Sequence, residues 1–165
     1  MKPAQLLGRA LGIALLGSLV FSTALWVHRQ DVLDATLQGV GSAVGQIQFA
    51  GHLLEQDPSS TGQRQAAYVI AQASGQILEA AAVVGQEGYN GDDVTGFALG
   101  LQQFGGQLQS ESEPRQLVER QARALVALPR RVSATFKTNS FEVTGRELLQ
   151  QLPTVMRTFT AAGIR

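Results

Sequence analysis

Apolar residues in this chain fall into three patterns: one unbroken run, five stretches with helical period, and one stretch that alternates. The unbroken run is Ala10 to Val27, ALGIALLGSLVFSTALWV, without a single charge. Lys2 and Arg9 precede it, and His28 and Arg29 follow. As a helix it is about 27 Å long, just enough for a hydrocarbon core of about 30 Å. Trp26 falls near its far end, where an indole sits at the level of lipid headgroups. Basic groups lie on the N-terminal side, while Arg29 is followed by Asp31 and Asp34, so the N-terminus is expected in the cytoplasm and the rest of the chain across the membrane. Gly8 and Gly12 are four apart, with Gly17 and Ser18 beyond, which gives the span a small-residue face for another membrane helix.

A cleaved signal peptide is the competing reading. Lys2 and Arg9 would be its n-region, Ala10 to Phe21 its apolar region and Ser22-Thr23-Ala24 its cleavage site. A retained anchor is favoured because the apolar run continues through Leu25, Trp26 and Val27, past the length usual for such regions.

Helical period then takes over. Leu33, Leu37, Val40, Val44, Ile47, Gly51 and Leu54 recur at alternating steps of four and three, a seam for packing at shallow angles. Asp57-Pro58 ends that helix, and Ser60-Thr61-Gly62-Gln63 has the form of a capping box. The second helix carries Ala66, Ile70, Ala73, Ile77, Ala80 and Val84. Gly85, Gly88 and Gly91 break it, and Asp92 or Asp93 can cap a third helix bearing Val94, Phe97, Leu101, Phe104 and Leu108. Ser110-Glu111-Ser112-Glu113-Pro114 opens a fourth, with Leu117, Val118, Ala124, Leu125 and Leu128, running to Pro129. A second membrane pass over Ala66 to Gly85 competes with the core-helix reading, since Glu79 is its one charge; Gln72, Ser74 and Gln76 argue against it.

Alternation appears last. Val132, Ala134 and Phe136 alternate with polar residues, Thr138-Asn139-Ser140 supplies a turn, and Phe141 and Val143 alternate again, which predicts a short β-hairpin. Thr144-Gly145-Arg146-Glu147 has capping-box spacing and opens a closing helix with Leu148, Leu152, Val155 and Phe159, interrupted at Pro153 and stopped at Gly163. The predicted fold is therefore mainly α. Residues 1–9 are a cytoplasmic tail, 10–29 a transmembrane signal-anchor, 30–129 an up-down helical bundle of four segments, and 130–165 the hairpin and final helix.

Charge refines this picture. The 165 residues carry 13 basic and 13 acidic side chains, but unevenly. Residues 1–29 hold three basic and no acidic groups, residues 30–113 one basic against ten acidic, and residues 114–165 nine against three. The basic third, with Arg130-Arg131 at its centre, is the candidate contact for a partner or for lipid headgroups; its alternative role is to lie against the chain's own acidic helices. Charged residues are 16% of the chain, which excludes a disordered polyelectrolyte and argues against a nucleic-acid binder.

Candidate chemistry is sparse. With no cysteine, thiol nucleophiles, zinc ribbons and disulfide frameworks are excluded. Gly39-Val40-Gly41-Ser42-Ala43-Val44-Gly45 superficially matches a dinucleotide-binding loop, but it sits inside helical period, so packing through Gly41 and Gly45 explains it. His28 and His52 would stand about 36 Å apart on one helix and cannot share a metal. His52 and Glu55 share a face in the order opposite to bundle carboxylate-metal motifs, with Glu79, Asp92 or Asp93 left to complete a shell, and a buried His52 bonded to Glu79 in a cleft would favour an enzyme. Glu87, Asn90, Asp92 and Asp93 lack the alternation of a calcium loop and read as a capped turn. Phe97, Phe104, Phe136, Phe141, Phe159 and Tyr89 read as core rather than a ligand cavity.

No catalytic, metal or cofactor-binding residue is predicted. The expected protein is a non-enzymatic accessory or structural subunit of a bacterial inner-membrane complex. It is single-pass with a periplasmic bundle, and its partners are an integral membrane protein or a second copy of itself, plus lipid. A periplasmic bundle binding an apolar or small ligand between its helices is the alternative.

Overall fold

The computed structural model describes the backbone of residues 3–110, 114–132 and 140–164, and the side chains of Ser18 and of those residues from 21 onward. Five helices occupy them: α1 (Pro3–Gln56), α2 (Ser60–Gln86), α3 (Gly91–Ser110), α4 (Arg115–Val132) and α5 (Phe141–Ala162). The chain divides into two compact units, residues 1–34 and 35–165. In the first, the side chains from Phe21 to Arg29 are all exposed.

The second unit is a helical bundle, and its core is built from the expected seams. Leu37, Val40, Val44, Ile47 and Leu54 of α1 are fully buried, as are Ala66, Ile70, Ala73, Ile77 and Val84 of α2. Phe97, Leu101, Phe104 and Leu108 of α3, Leu125 and Leu128 of α4, and Leu148, Leu152 and Phe159 of α5 complete it.

Glycines set the closest approaches. A Cβ at Gly41 would collide with the Phe141 carbonyl, and one at Gly145 with the Leu37 carbonyl and the Gly41 amide, so α1 and α5 touch backbone to backbone and run antiparallel. Gly51 brings α1 close to α4, though less so: a Cβ there would stand 2.8 Å from the Val126 side chain and 2.9 Å from Leu125 Cβ. Gly105 lets α3 lie against Ala67 and Ile70 of α2. Gly45, in contrast, has open space where its Cβ would stand, so of the two glycines expected to mediate packing only Gly41 does so.

The helix ends are capped locally, mostly one or more residues from the expected sites. Ser59, not Ser60, caps α2: its hydroxyl accepts from the Thr61 amide at 3.3 Å, and buried Gln63 turns back to donate to the Pro58 carbonyl at 2.9 Å. Asn90 rather than Asp92 or Asp93 caps α3, its side-chain oxygen accepting from both of their amides. Between α2 and α3 the chain turns at Gly88, whose φ of 89° suits glycine alone. The amides of Glu87 and Tyr89 both bond back to the Val84 carbonyl there. α5 stops at Gly163 as expected, in the left-handed conformation, with the Ile164 amide reaching the Phe159 carbonyl.

No β-hairpin stands among the described residues. They include no strand: Val132, where the first strand of the expected hairpin starts, ends α4, and residues 133–139, which include the rest of that strand and most of the turn, lie outside them. Its second strand is the first turn of α5. Ser140, read as a turn residue, is a helix cap whose hydroxyl accepts from the Val143 amide at 3.4 Å, while the Thr144 amide bonds to the Ser140 carbonyl at 3.1 Å. The alternation of Phe141 and Val143 is equally the outward side of a helical turn: both are exposed, while Thr144, Gly145 and Leu148 face inward. Helical geometry is also what brings Gly145 onto the α1 backbone. Neither proline ends its helix: α4 continues past Pro129 to Val132, and α5 through Pro153.

Two predictions follow from these contacts. Gly145→Ala should lower stability by about 1–3 kcal/mol, because backbone cannot yield as a side chain does. Gly45→Ala should be neutral or gain up to about 1 kcal/mol, since it adds helix propensity in open space. Thermal or denaturant unfolding checks both, and equal effects would contradict the packing. Separately, hydrogen bonds from the Ser59 hydroxyl and amide and from the Gly62 amide hold the Asp57 carboxyl below its usual range. A lowered folded pKa stabilises above the ordinary carboxylate range and is lost as pH falls through the lowered value. Asp57→Ala should therefore melt below the native chain at neutral pH, and the gap should narrow in acid; a constant gap would contradict the assignment.

Candidate functional site

Three surfaces could carry function. The first is the N-terminal apolar segment. Phe21 is 66% exposed, Trp26 62% and Leu25 and Val27 about half, so two helical turns present apolar side chains on every face. An all-round apolar helix belongs in a protein core or in lipid. Gly8 and Gly12 lie within α1, but their surroundings are outside the described side chains.

The second is the basic end of α4. Arg130 and Arg131 both sit exposed in its last turn, where cations complement the helix dipole. That turn is held by α5, since Gln151 Nε2 donates to the Val132 carbonyl at 2.9 Å. The favour is returned at the other end of the antiparallel pair. There Arg120 donates to the Ala162 carbonyl at 3.2 Å and buried Gln121 to the Gly163 carbonyl at 3.4 Å. Each helix thus satisfies carbonyls that the other leaves unpaired at its C-terminus. The ion pairs Arg115–Glu119, Arg146–Glu142 and His52–Glu55 each join residues three or four apart, so none of these three ties the basic third to the acidic helices.

The third surface is a groove of about 250 Å³ between α3 and α5. Gly96 and Gly100 form its floor on α3 with Phe97, and Met156, Phe159 and Ile164 face them. Phe97 and Phe159 pack with ring centroids 5.7 Å apart. The sequence placed both in the core, which is correct; what it missed is the trough that side-chain-free Gly96 and Gly100 leave beside them. The only available signal was their spacing of four on a helix whose other seam was already assigned.

Elsewhere the chemistry is modest. His52 is half-exposed and bonds to Glu55 at 3.2 Å, not to Glu79. Among the described residues no three His, Asp or Glu side chains are grouped to hold a metal. Gly39 to Gly45 lies within continuous α1, with neither a strand before it nor a helix opening at it. α2 is the one helix among the described residues that is long and apolar enough to cross a membrane, and its inner seam is buried in the bundle.

No family model, no curated protein and no solved structure matches this chain.

The reciprocal capping predicts that Gln121→Ala costs about 1 kcal/mol, because the part-buried bond to the Gly163 carbonyl is lost. Arg130→Ala should leave the unfolding midpoint nearly unchanged. Chemical denaturation compares them; equal costs would mean that the α4–α5 ends do not depend on this exchange.

Proposed function

We propose that this chain is a membrane-anchored, non-enzymatic accessory subunit that stabilises or assembles a larger membrane protein complex. The observation that carries the reading is the exposure of Phe21, Leu25, Trp26 and Val27 around the whole of α1 at that level. With about half to two-thirds of each side chain in water, burial of that share is worth about 1 kcal/mol each, so the segment is suited to a lipid environment. Residues 10–29 would form a single pass through a bacterial inner membrane, with the N-terminus cytoplasmic and the bundle periplasmic. The mechanism is binding. Confinement to the membrane raises the effective concentration of the bundle near an integral membrane partner or a second copy, without any new contact. Arg130-Arg131 is the exposed cationic pair offered to an acidic partner or to headgroups, and Gly8 with Gly12 the face offered to another membrane helix.

A second reading is favoured by one observation. The apolar groove between α3 and α5 is suited to a small apolar ligand, and a periplasmic bundle binding one there would need no partner.

Purification of the full chain from its own membranes in mild detergent separates these readings. An accessory subunit should bring an integral membrane protein with it, and Arg130→Gln with Arg131→Gln should weaken that association while lowering the melting temperature only slightly. A lone chain with no bound protein, stabilised against heat by an extracted apolar molecule, would favour the groove instead.

A further inference from the structure

α2 is apolar on two sides, and the bundle uses only one of them. Its inner seam, from Ala66 to Val84, is buried. On the other side Arg64, Tyr68, Ala71, Gly75, Leu78 and Ala82 recur at steps of 4, 3, 4, 3 and 4, the spacing of a second coiled-coil seam. Tyr68 is 64% exposed and Leu78 40%; Arg64, Ala71 and Ala82 are exposed, and a Cβ on Gly75 would stand in open space. Only 44% of the most apolar window of α2 is buried, so its hydropathy exceeds what the inner seam requires.

We propose that this outer seam docks a second copy of the chain, antiparallel, about a two-fold axis between Ala71 and Gly75. That symmetry makes the contact self-complementary in three ways. Ala71 and Gly75 face each other at the centre, so the smallest residues meet where the helices come closest. Tyr68 of one copy meets Leu78 of the other, at the mouth of a shallow groove of about 420 Å³ that Leu78, Ala82 and Gly85 form with Asp92 and Thr95 of α3. Arg64, the single basic residue between positions 30 and 113, meets Ala82 beside Asp92 and lies one turn from Glu79.

Charge selects this occupant over others. A parallel pair would set Arg64 against Arg64 and Glu79 against Glu79. A lipid surface would leave Arg64, Gln72 and Glu79 in or beside hydrocarbon, which is costly. The antiparallel copy places the one cation of the region against acids at both ends. The face is about 27 Å long, at the small end of specific interfaces, so the dimer is weak when dilute. The inference is independent of the N-terminal anchor, because it uses only residues of the bundle.

The chain has no cysteine, so single cysteines report cleanly. Gln72 lies next to the axis and approaches its own copy, whereas Leu99, half-exposed on α3, does not. In concentrated full-length protein in mild detergent, Gln72→Cys should form a disulfide dimer several-fold more than Leu99→Cys. Arg64→Glu or Asp92→Arg should each reduce that yield, and the two together should restore it. Melting curves establish that every variant is folded. Equal crosslinking at both positions, or none at Gln72→Cys in folded protein, overturns the proposal. Yields unaffected by the charge changes, or not restored by the pair, overturn the antiparallel register. Shielding of Gln72→Cys from maleimide by lipid vesicles without crosslinking would mean a membrane face and also overturn it. Pairing through Gly8 and Gly12 would favour neither cysteine, so this result is read separately from the tether.

Discussion

Backbone meets backbone where α1 crosses α5. Gly41 and Gly145 lie against each other's helices so closely that neither has room for a methyl group, and the carbonyls of Leu37 and Phe141 occupy the space that side chains would take. This constraint shapes the rest of the bundle. It holds α5 antiparallel to α1, and with α5 in place its Gln151 and the Arg120 and Gln121 of α4 reach each other's C-terminal carbonyls. Close approach also explains how seams rich in Ala and Gly suffice for a core: short interaxial distances let small side chains fill the space that Leu would otherwise take. Close packing at these glycines and the exchange of carbonyl donors between α4 and α5 are the contacts that join the helices here.

Much of this was legible in the sequence, for a physical reason. Every apolar seam with helical period from Leu33 to Phe159 is found on a helix and facing inward, because burial of one face is what the period encodes. Short segments at junctions were not legible. Val132 to Val143 alternates over too few residues to distinguish a strand from the outer side of a first helical turn, and the deciding contact, Gly145 on Leu37, joins positions over a hundred residues apart. Caps were misplaced by one to four residues where Ser59, Asn90 and Ser140 stood beside equally plausible neighbours. Of the candidate surfaces, the exposure of Trp26 and of Arg130-Arg131 was accessible from pattern alone. The groove at Gly96 and Gly100 was not, because a residue without a side chain leaves no mark in a hydrophobic period.

What the fold leaves uncovered sets its functional character. Polar side chains near helix ends are occupied with capping, and His52 is engaged with an exposed Glu55. Four surfaces that remain are apolar or cationic: the N-terminal segment, the last turn of α4, the α3–α5 trough and the outer side of α2, the last bordered by the exposed acids Glu79 and Asp92. Such surfaces recognise partners by burial and charge, which is why contact rather than bond-making is the work proposed for this chain.

That account rests most heavily on residues 10–27 remaining attached and residing in lipid. The direct measurement is N-terminal sequencing of the mature protein combined with extraction of native membranes at alkaline pH. The account predicts a chain that still carries the apolar run and stays with the pellet. A mature chain that begins near Leu25 and is released into the aqueous fraction would contradict it.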